Sequence, residues 1–97
     1  MLFALINTDR PAGLELRMAT RPAHLDWVAG QESKLVTAGA LLDPAGNMAG
    51  SLLVIDVPDR AAAEAFVAAD PYTKAGLFES TVIRPFRQVY KDGKKVA

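Results

Sequence analysis

The run Leu2-Phe3-Ala4-Leu5-Ile6-Asn7 is apolar at odd and even positions alike, which predicts a strand covered on both faces. Asp9 to Gly13 breaks it, and Leu14 to Ala19 reads as a short helical turn. Thr20-Arg21-Pro22 reads as a helix start, because proline is tolerated where its missing N–H is not needed. Leu25, Val28 and Ala29 then share one helical face and are expected to point inward. Leu35 to Leu42 is a second strand, Asp43 to Asn47 a proline- and glycine-bearing reversal, and Ser51 to Val57 a third strand. Asp59 can cap the next helix, whose inward stripe is Ala62, Phe66 and Ala69. Asp70-Pro71 opens a further short turn that ends near Gly76. Leu77 to Val89 is the last strand; Pro85 cannot donate to a ladder, so this strand belongs at an edge. Lys91 to Ala97 is a polar tail, expected to be loose.

The order is β-α-β-β-α-β. It predicts an α+β, ferredoxin-like domain: a four-stranded antiparallel sheet with two main helices on one face. Right-handed crossovers put the first and third strands in the centre. Leu2, Ala4 and Ile6 then face one side and Phe3 and Leu5 the other, while Leu52 and Val54 oppose Leu53, Ile55 and Val57. Two helices cover only one face. The other apolar face calls for a partner, and a second copy packing sheet on sheet is the simplest, so a homodimer is expected.

Composition narrows the classes. Ninety-seven residues make one domain over residues 1–97, with the tail from about residue 91. A folded chain of 10.4 kDa is expected to keep about 5,400 Å² of surface. There is no cysteine, which removes disulfides, thiolate chemistry and cysteine-ligated metals. Eleven basic and eleven acidic residues cancel, which argues against nucleic acid as a partner. A lone histidine and no tight carboxylate cluster argue against a metal site. Met1 to Ile6 is too short for a targeting segment and no run is long enough to span a membrane, so a cytoplasmic location is expected and no membrane partner.

In this topology the first helix starts, and the second ends, at the same end of the layer. His24 and Asp70 can therefore meet, and a carboxylate on one imidazole nitrogen orients the ring as a general acid or base. Arg17, Arg21 and His24 follow i, i+4, i+7; on a continuous helix they would form one stripe, suited to an anionic or enolate oxygen, although Pro22 stands in the way. Ser51 can add a hydroxyl and Tyr72 a phenol. Each has a plainer reading beside it. Asp70 before Pro71 is a good helix cap, a lone histidine is usually packed or at the surface, and paired arginines are usually a solvated face. No nucleophile elbow, phosphate loop or dinucleotide fingerprint is present.

The segments Arg17-Met18-Ala19-Thr20-Arg21-Pro22-Ala23-His24-Leu25, Thr37 to Leu42, Gly50 to Val54, Ala69-Asp70-Pro71-Tyr72-Thr73-Lys74-Ala75-Gly76 and Ile83-Arg84-Pro85-Phe86 together resemble the YCII family, in order and over nearly the whole chain. The resemblance implies a ferredoxin-like fold that pairs into a dimeric α+β barrel. It implies a histidine–aspartate pair at His24 and Asp70, with Arg17, Arg21 and the Gly50-Ser51 step beside it. Ala40 departs from the proline that relatives often carry after the glycine, and touches the strand, not the pair. A dehydrochlorinase of a chlorinated hydroxyhydroquinone is known among relatives, which implies proton transfer or elimination on a small cyclic, aromatic or anionic metabolite, without a cofactor. The competing expectation is a non-catalytic dimer that binds such a metabolite or serves as an accessory module.

Overall fold

The computed structural model describes residues 1–97. In β1 (Leu2–Asp9) burial alternates: Phe3, Leu5, Asn7 and Asp9 are buried and the residues between them are not. Next come α1 (Leu14–Ala29), β2 (Leu35–Leu42), β3 (Met48–Asp56), α2 (Arg60–Ala69), a single turn α3 (Pro71–Lys74) and β4 (Phe78–Phe86). The four strands form one antiparallel sheet in the order β2-β3-β1-β4. This is the expected ferredoxin-like arrangement, with β1 and β3 central and proline-bearing β4 at an edge.

Register fixes what meets what. Phe3 lies opposite Ile55, Leu5 opposite Leu53, and Asn7 opposite Ser51. Phe3, Leu5, Leu53, Ile55, Val57, Ala63 and Phe66 make the core, with Trp27, Leu35, Val67 and Ile83 packed around them. Gly50 lies where β3 crosses Asn7 of β1; a Cβ there would overlap the Asn7 carbonyl oxygen, so only glycine fits. Ser51, next along β3 and opposite Asn7 in the register, is buried on the same inward face.

Three expectations are corrected. First, α1 runs unbroken through Pro22. Pro22 and Met18, whose carbonyl a proline four residues on cannot serve, are both exposed, on the side of the helix where water can supply the missing donor. Second, the inward face of α1 carries Arg17, His24 and Trp27, with Val28 half-buried; Leu25 and Ala29 are exposed. Likewise Ala63 and Val67, not Ala62 and Ala69 alone, carry the inward face of α2 together with Phe66. Third, the strand ends move: β3 begins at Met48 and β4 stops at Phe86. Beyond β4, β5 (Tyr90–Lys91) and β6 (Lys94–Lys95) form a small exposed hairpin about Asp92-Gly93, where both residues take positive φ.

The helix-free face of the sheet leaves Ile6, Leu41, Leu52, Val82 and Phe86 each between 36% and 42% exposed. The chain as a whole keeps 6036 Å² accessible, above the roughly 5,400 Å² expected for its mass.

Candidate active site

Because α1 is continuous, Arg17, Arg21 and His24 fall on one side of it, two turns from end to end. Arg17 is buried at 2% exposure. Its Nε donates to Asp9 Oδ2 at 2.7 Å and its Nη2 to Asp9 Oδ1 at 3.0 Å, a two-pronged pair. Nη2 also donates to Ser51 Oγ at 2.9 Å, tying α1 to β3 as well as β1. Burial pulls the guanidinium down, but the Asp9 carboxylate outweighs it and holds Arg17 above its ordinary value, so it is always a cation.

Asp70 closes α2 and opens α3. Its Oδ1 accepts the Tyr72 backbone N–H at 2.9 Å, which caps α3. The same Oδ1 lies 2.9 Å from His24 Nδ1. Cap and histidine contact thus share one oxygen rather than dividing the carboxylate between them. A carboxylate only accepts, so a neutral ring carries its proton on Nδ1 and leaves Nε2 as its acceptor. Tyr72, 1% exposed, stacks its ring on His24 at 4.1 Å and 20°, and the Arg17 Cζ lies 4.5 Å from the same ring. Burial pushes the Tyr72 phenol above its ordinary value, opposed by Arg17 and Arg21, so it is neutral near pH 7 and can donate.

Arg17, Arg21, His24, Ser51 and Tyr72 border one cavity of about 270 Å³, with Leu25, Val28, Ala38, Ala40, Met48 and Leu53 as its apolar wall. Asp70 stands behind His24. A larger groove of about 460 Å³ runs between α1 and α2 over Trp27 and Phe66, but Lys34 is its only charged side chain. No three His, Asp or Glu side chains converge anywhere in the chain. The cavity can orient an imidazole, offer donors to an oxygen and exclude water along one wall.

Asp9 is the functional candidate that sequence reasoning passed over, having read it as a strand breaker. Its signal was parity: Phe3, Leu5, Asn7 and Asp9 share one face of β1. Asn7 was also missed; it is 2% exposed and its Oδ1 has no hydrogen-bond partner.

A model of the YCII-related domain matches residues 1–87. The protein YciI of Escherichia coli is 35% identical over 98 residues, covering 93% of this chain and all of the relative. An uncharacterised protein of Haemophilus influenzae is 30% identical over the same share of this chain. Among solved structures, the 5-chloro-2-hydroxyhydroquinone dehydrochlorinase of Burkholderia phenoliruptrix, in complex with 2,5-dihydroxybenzoquinone, superposes with a TM-score of 0.86 at 32% identity, over 90% of this chain and 94% of that one. An antibiotic biosynthesis monooxygenase at 14% identity and a TM-score of 0.54, over 91% of this chain and all of that one, shares the fold alone.

Proposed function

The chain belongs to the family of YCII-related domains, and on that premise we propose that it is a small enzyme that moves a proton to or from a hydroxylated ring or comparable small cyclic metabolite. The observation that carries the reading is the 2.9 Å contact of His24 Nδ1 with Asp70 at the edge of a cavity that also holds Arg21 and Ser51. In this reading Nε2 of His24 takes the proton from the substrate. Asp70 stabilises the imidazolium and keeps the ring in the useful tautomer. Arg21 receives the oxygen on which negative charge develops, and the neutral Tyr72 phenol and Ser51 hydroxyl hold the remaining polar edge. The resulting carbanion or enolate can expel a halide, the class of reaction for which the dehydrochlorinase at 32% identity is named.

Two copies of the chain are proposed to pair through the helix-free face. Leu52, Ile6 and Val82 lie side by side across three strands there, with Leu41 and Phe86 on the same face. Leu52 is the residue to charge, since Leu53 and Ile55 point into the core. Sedimentation should report a dimer, and Leu52→Asp should give monomer or insoluble protein; a folded monomer of the unmodified chain would rule the pairing out.

The test of the activity is a turnover screen over hydroquinones, halogenated hydroquinones and small lactones. Turnover that disappears in both His24→Ala and Asp70→Ala supports the reading. Saturable binding without turnover would assign the site to a binding protein instead.

A further inference from the structure

Arg17 is the most deeply placed cation at the cavity, yet its charge is already matched. Asp9 takes both Nε and Nη2. It does so from behind: Asp9 is not among the residues lining the cavity, and its side chain is 4% exposed. A second carboxylate, Asp70, is held against His24. Arg21 borders the same cavity, is exposed, and has no carboxylate within ion-pair distance.

Counting charges with a neutral imidazole, Arg17 cancels Asp9 and Arg21 balances Asp70, so the site is neutral overall. Passing one proton from a ligand to His24 leaves the imidazolium against Asp70 and the ligand's new anion beside Arg21. Every charge then has a partner. A second negative charge on the ligand would find none, and would sit near two buried carboxylates in a half-enclosed space where charge is poorly screened.

We propose that Asp9 sets the charge class of the ligand: by cancelling Arg17 it confines the cavity to small rings bearing a single ionisable hydroxyl or carboxyl group, which Arg21 receives. Asp9 is a positioning residue in this role, acting through Arg17 and never touching the ligand. The inference rests on the acid–base reading only for the part played by His24. Its measurable content is a preference between ligands and needs no turnover.

Benzoate and phthalate serve as probes, since near pH 8 one is a monoanion and the other a dianion on the same ring. Calorimetric titration of the full chain should find benzoate bound about tenfold tighter than phthalate. Asp9→Asn frees the Arg17 charge and should erase that preference. Asp9→Glu keeps the charge and should restore it, whatever it does to thermal stability. Arg21→Gln should abolish benzoate binding. If Asp9→Asn does not fold, Arg17→Gln carries the test: it leaves Asp9 unmatched and should weaken benzoate about tenfold while sparing neutral phenol. The proposal fails if Asp9→Asn lowers stability but leaves the ratio alone, if Arg17→Gln weakens phenol and benzoate equally, or if neither probe binds the unmodified chain. A protein that turns nothing over but keeps the preference would remove the acid–base reading and leave Asp9 its role. Turnover with an unchanged ratio in Asp9→Asn would do the reverse.

Discussion

The inward row of β1 has two halves. Phe3 and Leu5 are each 1% exposed; Asn7 and Asp9, the next two on the same face, are 2% and 8% exposed. Depth is the same and the physics is opposite. Phe3 and Leu5 pack on Leu53, Ile55, Ala63 and Phe66, and stabilise the fold by taking apolar area out of water, about 25 cal/mol per Å². Asn7 and Asp9 lose their hydration and recover it only through partners. Asp9 finds Arg17, while Asn7 Oδ1 has no partner within the chain. One half of the strand holds the domain together. The other is carried by it, and what it provides is a fixed guanidinium, a fixed hydroxyl and a polar floor.

The sharpest way to break that contrast is to remove one partner from the polar half. Asp9→Ala leaves Arg17 buried and uncompensated and should lower unfolding stability by about 3–5 kcal/mol. Leu53→Ala in the apolar half opens a cavity and should lower it by about 2–5 kcal/mol, a similar loss from an unrelated cause. The double change Asp9→Leu with Arg17→Met separates the two causes. It should recover most of the Asp9→Ala loss in urea unfolding, because the pair is expensive to split and inexpensive to replace whole. A double variant as unstable as the single one would mean that the polar half contributes stability beyond its charges.

The same contrast explains what could be read from the residues alone. The apolar halves of β1 and β3 are hydrophobic on both faces, which marks them as central strands, and the proline of β4 marks an edge, so the strand order was legible. On α1 the hydrophobic pattern misleads, because the inward face is built from Arg17, His24 and Trp27 rather than from Leu25 and Ala29. A buried arginine is rare enough that periodicity assigns it to solvent. Pro22 likewise signals a break where none occurs, because its exposed position lets water take the orphaned carbonyl. The spacing of Arg17, Arg21 and His24 was visible as one stripe, but its condition, an unbroken helix, was not. The parity of Asp9 with Phe3 and Leu5 was visible, but its role was not, because that depends on a partner eight residues away whose burial only the fold reveals.

Asp70 closes α2 and opens α3, and a smaller effect is expected there. Asp70→Ala removes the cap of α3 and should lower stability by about 1 kcal/mol. Asp70→Asn keeps most of the capping but can no longer hold the imidazole proton by charge. The tautomer is read directly from the nitrogen shifts of the single histidine, which requires no assignment. The Nδ1–H form should dominate in the unmodified chain and give way in Asp70→Asn, with little change in thermal midpoint. Equal tautomer populations in both proteins would show that Asp70 acts as a cap alone.

The smallest effect belongs to Tyr72, and it is hidden near neutral pH. The phenol is buried against His24 and Arg17, and burial raises its ionisation above the ordinary value of 10.0 despite the opposing arginines. In the unfolded chain it ionises at about 10. A raised folded value means that the native state favours the protonated phenol. Its contribution is therefore complete below about pH 10 and is lost as pH climbs through the higher folded value. Tyr72→Phe keeps the ring, the stacking on His24 and the face offered to Arg17, and removes only the titrating group. Near pH 7 the two proteins should differ by about 1 kcal/mol or less. Above about pH 10 the unmodified chain should lose stability faster, and its unfolding midpoint should fall toward or below that of Tyr72→Phe. Every other side chain is the same in both proteins, so the difference between the curves isolates Tyr72. Curves that stay parallel to strongly alkaline pH would mean that the phenol reaches water freely, and the polar end of the layer would then be open where the apolar end is closed.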